Sequence, residues 1–418
     1  MISSSKQYLK NFLILFSGNT VAQIIPFILA PFVARLFSPE EIAVQENFLA
    51  LASLFAIAAA GRYEFAFLIP KEEKPARQLL LLSLCIAVCV SLLSGITLFF
   101  SEDIAKMYKT PELEPLIILV SPAVFLLSLL SIFNQWMIRK GSYPMITTAR
   151  IMQSFVQNGG YIVLGYAGFG ILGLLLGWLI GVLIPVVTMA VFSRKDLNRS
   201  DFHSQEISSL AKEHKDFPTI NSLHAFTDIL ATQFLLYWII TRNYGAAALG
   251  FFALMSRYVR APLNLVGSAI GQLYFREAGI SSGNREKEIA IFYRSIKLMA
   301  AFSIPAMLVI VFFGPDIFRI YLGEKWIYAG EMARYMAPAL LFNILSGVVS
   351  GTAILKQRQK QAYVISLIGY LLSLLMFAAG SWFDLSLNFT LICYSIVLSI
   401  YYLVLLYWYR KLILEPAS

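Results

Sequence analysis

Arg257 and Arg260 stand three residues apart in the apolar run GFFALMSRYVRAP, 250–262. On a helix that spacing puts both guanidinium groups on one face. Arginine does not shed its proton, and against lipid each charge costs between about 3 and more than 10 kcal/mol. A water-filled, anion-binding cavity accounts for the pair. Ion pairs to acids on neighbouring helices are the alternative, but acids at depth are few: Glu46, Glu64 and Asp228. The planar arginine fork suits the paired oxygens of an anion such as phosphate or carboxylate. Pro262, just beyond the pair, is expected to kink its helix and free carbonyls toward such a cavity.

Other residues carry weaker chemistry. GRYEFAFLIPK (61–71) holds Arg62, close enough to a helix end to snorkel, and Glu64, which is placed to pair with an arginine or to titrate. Asp228 and His224 lie four apart in NSLHAFTD, facing one direction, as a proton relay, a cation site or a plain hydrogen-bonded pair would require. Arg35, Arg242 and Glu46 fall near one predicted interface, where anchoring competes with a place in the cavity. Pro26 and Pro31 (IIPFILAPF) make the first helix the expected hinge.

The elements that position these residues follow from composition. Of 418 residues 58% are hydrophobic and 14% charged, too few charges for soluble domains. Windows such as 78–101, 116–138, 361–383 and 385–409 carry no charge at all, and each suffices to cross a bilayer as a helix. Twelve apolar segments are read: 9–35, 42–70, 76–100, 114–138, 142–166, 170–193, 217–240, 246–275, 291–313, 334–355, 361–382 and 386–409. The most polar connection, 194–216, divides an N-terminal six-helix bundle (1–193) from a C-terminal one (217–418). The fold class is therefore all-α and integral to a membrane. Cys85, Cys89 and Cys393 are expected to be buried packing residues. No metal-ligand spacing, phosphate-cradling glycine loop or nucleophile with a base is present, so no cofactor and no catalytic role are expected.

Net charge is +9, which raises nucleic acid as a partner, but its distribution is topogenic. With a cytoplasmic N-terminus, 23 Lys and Arg fall on the cytoplasmic side and seven on the other, leaving Arg62, Arg257 and Arg260 inside spans. That bias sets both termini in the cytoplasm and removes nucleic acid. Arg35 and Arg242, 207 residues apart, end the first helix of each half before similar downstream patterns. Parallel repeats of this kind are a transporter design with the site between the halves.

Four stretches, ARLFSPEE (34–41), GRYEFAFLIPKEE (61–73), KDFP (215–218) and GFFALMSRYVRAPLNLVGSAIGQLYFREA (250–278), resemble the oligosaccharide flippases. These are the Wzx-type O-antigen and polysaccharide translocases of the superfamily that includes the multidrug and toxin extruders. Ile42-Ala43 replaces the glycine usual after Pro-Glu-Glu. The resemblance implies a V-shaped pair of six-helix bundles around a cationic central cavity in a bacterial inner membrane. It implies movement of undecaprenyl-pyrophosphate-linked oligosaccharide repeat units to the outer leaflet for O-antigen, lipopolysaccharide or other surface polysaccharide assembly. Arg257 and Arg260 then become headgroup ligands, with Arg62 receiving the substrate and Arg35 and Arg242 as further cavity cations. Membrane lipids and polysaccharide polymerase or ligase proteins are the implied partners. Two rivals are a cation-coupled multidrug antiporter of the same fold, disfavoured by arginines outnumbering acids at depth, and a membrane polymerase or ligase, disfavoured by short outer loops.

Overall fold

In the computed structural model the described residues are 20–415 without 60, 195, 197–203, 216, 219–221 and 282, and at 204 and 224 the backbone alone. The expected beginning of the first helix, 9–19, and both chain termini lie outside them. Among the described residues all regular structure is helical, and twelve rods follow one another in the expected order. The chain divides into two compact units, Met1–Trp238 and Ile239–Ser418.

The first unit contains α1 (Thr20–Leu36), α2 (Pro39–Ala59), the short α3 (Tyr63–Ala66) and α4 (Glu73–Ser94). The fourth helix continues through a 3-10 stretch, Gly95–Phe100, into α5 (Ser101–Tyr108). A second 3-10 run, Pro111–Leu119, enters α6 (Val120–Arg139), followed by α7 (Tyr143–Tyr166) and α8 (Gly170–Ser193). SPEE starts α2 as a reciprocal capping box with proline in the first turn. The Ser38 amide donates to Glu41 Oε2 at 2.8 Å and the Glu41 amide to Ser38 Oγ at 3.2 Å. Helix α2 is apolar nearly all round and packs on α4, α6 and α8, the expected pattern for the central helix of a unit. Ile42 and Ala43 are buried there. Helices α7 and α8 approach at glycine: a Cβ on Gly181 would lie 2.5 Å from Gln157 Cβ, the close approach small residues permit between membrane helices.

The amphipathic α9 (Ser204–Glu213) docks on α4 through Glu206, which accepts from Lys74 at 2.8 Å and from Gln78 at 2.5 Å. Next come α10 (Ser222–Ile229), a π-helical segment (Leu230–Leu235) and α11 (Leu236–Tyr244). The α10 and π segments pack on α2. Packing therefore assigns most of the seventh rod to the first unit, whereas the polar connection at 194–216 separates six rods from six by topology alone.

The second unit holds α12 (Ala246–Ile280), α13 (Arg285–Leu322), α14 (Ile327–Val348), the one-turn α15 (Thr352–Leu355), α16 (Gln359–Trp382) and α17 (Leu387–Leu414). Helix α14 packs against α12, α13 and α17. Gly314 and Gly330 let α13 and α14 touch, since a Cβ on either would meet the other's carbonyl oxygen within 2.7 Å. Helix α12 has 35 residues and α13 has 38; at about 1.5 Å per residue both exceed the roughly 30 Å hydrocarbon layer.

Two expectations change. The segment 42–70 is not one helix: it ends at Ala59, and Gly61 and Arg62 both adopt φ of 56°. Only glycine takes that conformation without cost, and a Cβ on Gly61 would also crowd Tyr63 at 3.1 Å. Arg62 thus sits at an elbow. Cys85 and Cys89 are exposed, because the face of α4 that they share four residues apart is not covered by a neighbouring helix, and Cys393 is half-buried.

Candidate functional site

Eight helices among the described residues combine length with apolarity enough to cross a membrane. Helix α1 is apolar but shorter. The remaining rods, α7, α10–α11 and α12, carry polar groups among their apolar residues, and these are the candidate functional residues, taken unit by unit.

On α12 Arg257 is exposed and Arg260 half-buried. Asn264, Ser268 and Gln272 continue the same face at steps of four and are exposed. Such a stripe is costly against hydrocarbon, and polar residues of membrane helices generally face a bundle interior or a water-filled cavity. Among the described residues no carboxylate pairs with Arg260, whose Nε is buried without a hydrogen-bond partner. Its electrostatic neighbours are the phenols of Tyr394 and Tyr402, the latter beside Asn343. Pro262 lies exposed within α12, which continues through it as helix; the ring deprives the Tyr258 carbonyl of its helical donor. Nothing in the residue types of Asn264 and Ser268 marks them as functional. The signal was their register with Arg257.

In the first unit the elbow joins Arg62 to Glu64. Arg62 Nη1 lies 4.0 Å from Glu64 Oε1, with side-chain exposures of 20% and 3%. The guanidinium also lies over the Phe65 ring, 5.4 Å from its centroid. Ser131 on α6 donates to Glu64 Oε1 at 3.4 Å, and Oε2 has no partner. Both of these side-chain interactions are long, and the residue's own backbone amide adds to them. The elbow itself is clamped by a residue read from sequence as topogenic. Arg139 donates to the carbonyls of Phe67 at 2.7 Å, Pro70 at 2.8 Å and Glu72 at 3.1 Å. Lys140 pairs with Glu73 at 3.1 Å and Asp196 at 3.0 Å, and Trp136 donates to Asp196. Partial burial alone would lower the Lys140 ammonium, but Asp196 and Glu73 outweigh it and hold its pKa above the ordinary value. Tyr63, in α3, donates to the Ala211 carbonyl of α9, tying the elbow to the linker helix.

Helix α7 presents Arg150, Gln153, Gln157 and Tyr161 along one face. Gln45 and Gln157 both donate to the Tyr161 hydroxyl, at 3.2 and 2.8 Å. Asp228 is half-buried on α10, one turn after His224, whose side chain is outside the described residues. The π segment begins two residues later, and Thr232 donates to the Asp228 carbonyl at 2.7 Å. Glu46 is half-buried, and Arg35 and Arg242 are exposed near the ends of α1 and α11. Pro26 and Pro31 lie inside α1, which is helical across both. The structure therefore joins Arg62 to Glu64 and aligns Arg257 with Arg260.

Solved structures share this fold. An inward-facing multidrug resistance MATE family transporter of the MOP superfamily has a TM-score of 0.74 and 16% identity, covering 94% of each chain. Lipid II flippase MurJ in an inward closed conformation has a TM-score of 0.77 and 16% identity, covering 96% of this chain and 89% of that one. An outward-facing MATE family transporter has a TM-score of 0.62 and 16% identity, covering 98% and 95%. No curated protein sequence matches the chain. The sequence matches the family described as polysaccharide biosynthesis protein over residues 32–331, which contain the elbow, the α7 face and the α12 stripe. The chain has the all-helical, multi-pass membrane fold of the MOP transporters and belongs to the polysaccharide biosynthesis protein family.

Proposed function

We propose that the chain is a flippase, moving undecaprenyl-pyrophosphate-linked oligosaccharide repeat units from the cytoplasmic to the outer leaflet of a bacterial inner membrane, both of its termini being cytoplasmic. One observation carries the reading: Arg257 and Arg260 head a polar stripe on α12 in which Arg260 has no carboxylate partner among the described residues. A diphosphate needs fixed positive charge in a wet cleft, and two guanidinium forks supply it. The prenyl tail stays in the bilayer while the head crosses. Outward movement of negative charge runs with an inside-negative potential, worth about 2.3 kcal/mol per charge per 100 mV. Arg62, loosely held by Glu64 at 4.0 Å, receives the head first. Arg35 and Arg242 guide it near the outer face. Polymerase or ligase proteins of surface polysaccharide assembly, O-antigen among them, take the product. The family name and the MurJ-like fold support a lipid-linked cargo.

A cation-coupled antiporter of the same fold is the second reading. Asp228 favours it, being half-buried beside a π segment, a distortion frequent at functional sites.

The test is reconstitution in vesicles with fluorescent undecaprenyl-diphosphate oligosaccharide. Loss of one charge-assisted contact predicts a fall of about tenfold or more for Arg257→Ala and Arg260→Ala, with partial recovery in Arg257→Lys. Equal rates in all variants, or flux of cationic dyes with none of lipid-linked sugar, would overturn the assignment.

A further inference from the structure

Between α6, α7 and α8 of the first unit lies a cavity of about 250 Å³, many times the roughly 10–15 Å³ that admits a single water. Ser131, Asn134, Arg150 and Gln153 supply its polar lining, and residues such as Leu130 and Pro185 its apolar walls. Helix geometry places it. Arg150 and Gln153 are seven and ten residues into α7, while Asn134 and Ser131 lie five and eight residues before the end of α6. At about 1.5 Å per residue these positions are roughly 8–15 Å from one end of the bundle. That end carries Arg139, Lys140 and Arg194. With that basic end set at the water interface, a polar layer of about 5–7 Å places these positions at and just below the boundary between lipid heads and acyl chains.

The lining is built for an anion with an apolar base. Arg150 is the charged member of the lining, and the residue reaches the protein surface. Asn134, Gln153 and Ser131 add neutral donors, and no carboxylate is among the lining residues. Glu64 lies behind Ser131, screened by that hydroxyl and by Arg62. A phosphodiester accepts two parallel bonds from one guanidinium. The amides suit the hydroxyls of a glycerol head, whereas an ammonium head would be brought beside Arg150 and repelled. Basic pockets between transmembrane helices take anionic lipid heads on this principle.

We propose that this cavity binds the phosphate and glycerol head of an anionic phospholipid from the surrounding bilayer, with Arg150 as its phosphate ligand. The site is independent of the cargo proposed above. It adjoins the hinge: Ser154, the residue after Gln153, donates to the Ala22 carbonyl of α1 at 2.7 Å. An occupied site holds α7 in register against α1.

The experiment uses the full chain in detergent, titrated with phosphatidylglycerol or phosphatidylcholine and read by native mass spectrometry. Wild type is expected to retain one phosphatidylglycerol at least tenfold more tightly than phosphatidylcholine. Arg150→Ala is expected to lose that preference, and Arg150→Lys to keep part of it. Arg194→Ala, at the same end but outside the lining, should match wild type. Should Arg150→Ala not fold, Asn134→Leu with Gln153→Leu replaces it, again with at least tenfold weaker retention expected. Equal retention in wild type and the lining variants, or no preference between heads, overturns the site. Full displacement of phosphatidylglycerol by millimolar inorganic phosphate also overturns it, in favour of a free-anion site.

Discussion

The Ser154 hydroxyl donates to the Ala22 carbonyl at 2.7 Å, and that carbonyl is the one Pro26, four residues on, leaves without a helical donor. The carbonyl that the proline leaves open in α1 is thus satisfied from α7. Ser154→Ala should leave the carbonyl unsatisfied and cost about 1–3 kcal/mol. In a Pro26→Ala background the restored amide takes over, and the same substitution should cost close to nothing. Thermal unfolding of the four proteins in detergent gives the coupling directly. Additive effects would show that Ser154 does not serve the proline.

Arg139 makes a comparable clamp on the elbow, through three backbone carbonyls at 2.7, 2.8 and 3.1 Å. Its side chain is 10% exposed. Removing it strands those carbonyls, so Arg139→Ala should destabilise by more than about 2 kcal/mol. Arg139→Lys should recover little, because one ammonium cannot reproduce the planar fork. Chemical unfolding in mixed micelles measures both, and full rescue by lysine would contradict the geometry.

These two residues mark where sequence was readable and where it was not. Rod order followed from charge-free windows such as 116–138, and Arg257 and Arg260 stood out because charge in an apolar run is costly. In the sequence Arg139 is only an interfacial cation, since nothing in composition says which carbonyls a guanidinium reaches. Arg334 likewise donates to the Val311 carbonyl at 2.7 Å, the one freed by Pro315. The elbow was hidden because 42–70 is apolar on both sides of it, and left-handed backbone at Arg62 leaves no periodic trace. The α7 face is silent in the sequence for a different reason. Gln153 and Gln157 are uncharged, and amides in an apolar helix raise no alarm until a cavity and a buried hydroxyl are found beside them. The seventh rod read as one helix opening the second half, whereas its packing on α2 and its π segment are tertiary facts.

Glu64 is 3% exposed, with a hydroxyl at 3.4 Å, a guanidinium at 4.0 Å and one oxygen unpartnered. An ion pair this loose does not offset desolvation of the charge. Glu64→Gln, which keeps shape and removes the charge, should therefore change stability by less than about 1 kcal/mol. Glu64→Ala opens a cavity instead and should cost about 2 kcal/mol or more. A large loss in the glutamine variant, read by thermal unfolding, would show the pair to be tighter than its geometry.

Asn264, Ser268 and Gln272 extend the face of α12 that begins at Arg257, and all three are exposed. If that face fronts lipid, replacing Asn264 and Ser268 by leucine should be neutral or stabilising and leave transport alone. If it fronts water, the fold should survive, because neither side chain is buried, while lipid-linked oligosaccharide flux should fall several-fold as the path dries. A second readout separates the cases without any substrate. With Cys85, Cys89 and Cys393 replaced by serine, a single cysteine at 264 or 268 should react with a membrane-impermeant thiol reagent in vesicles. A cysteine at Leu371 on α16, an exposed apolar position, should not. Protection at 264 and 268 together with unchanged flux would place the stripe against lipid and leave Arg257 and Arg260 without a wet path for their ligand.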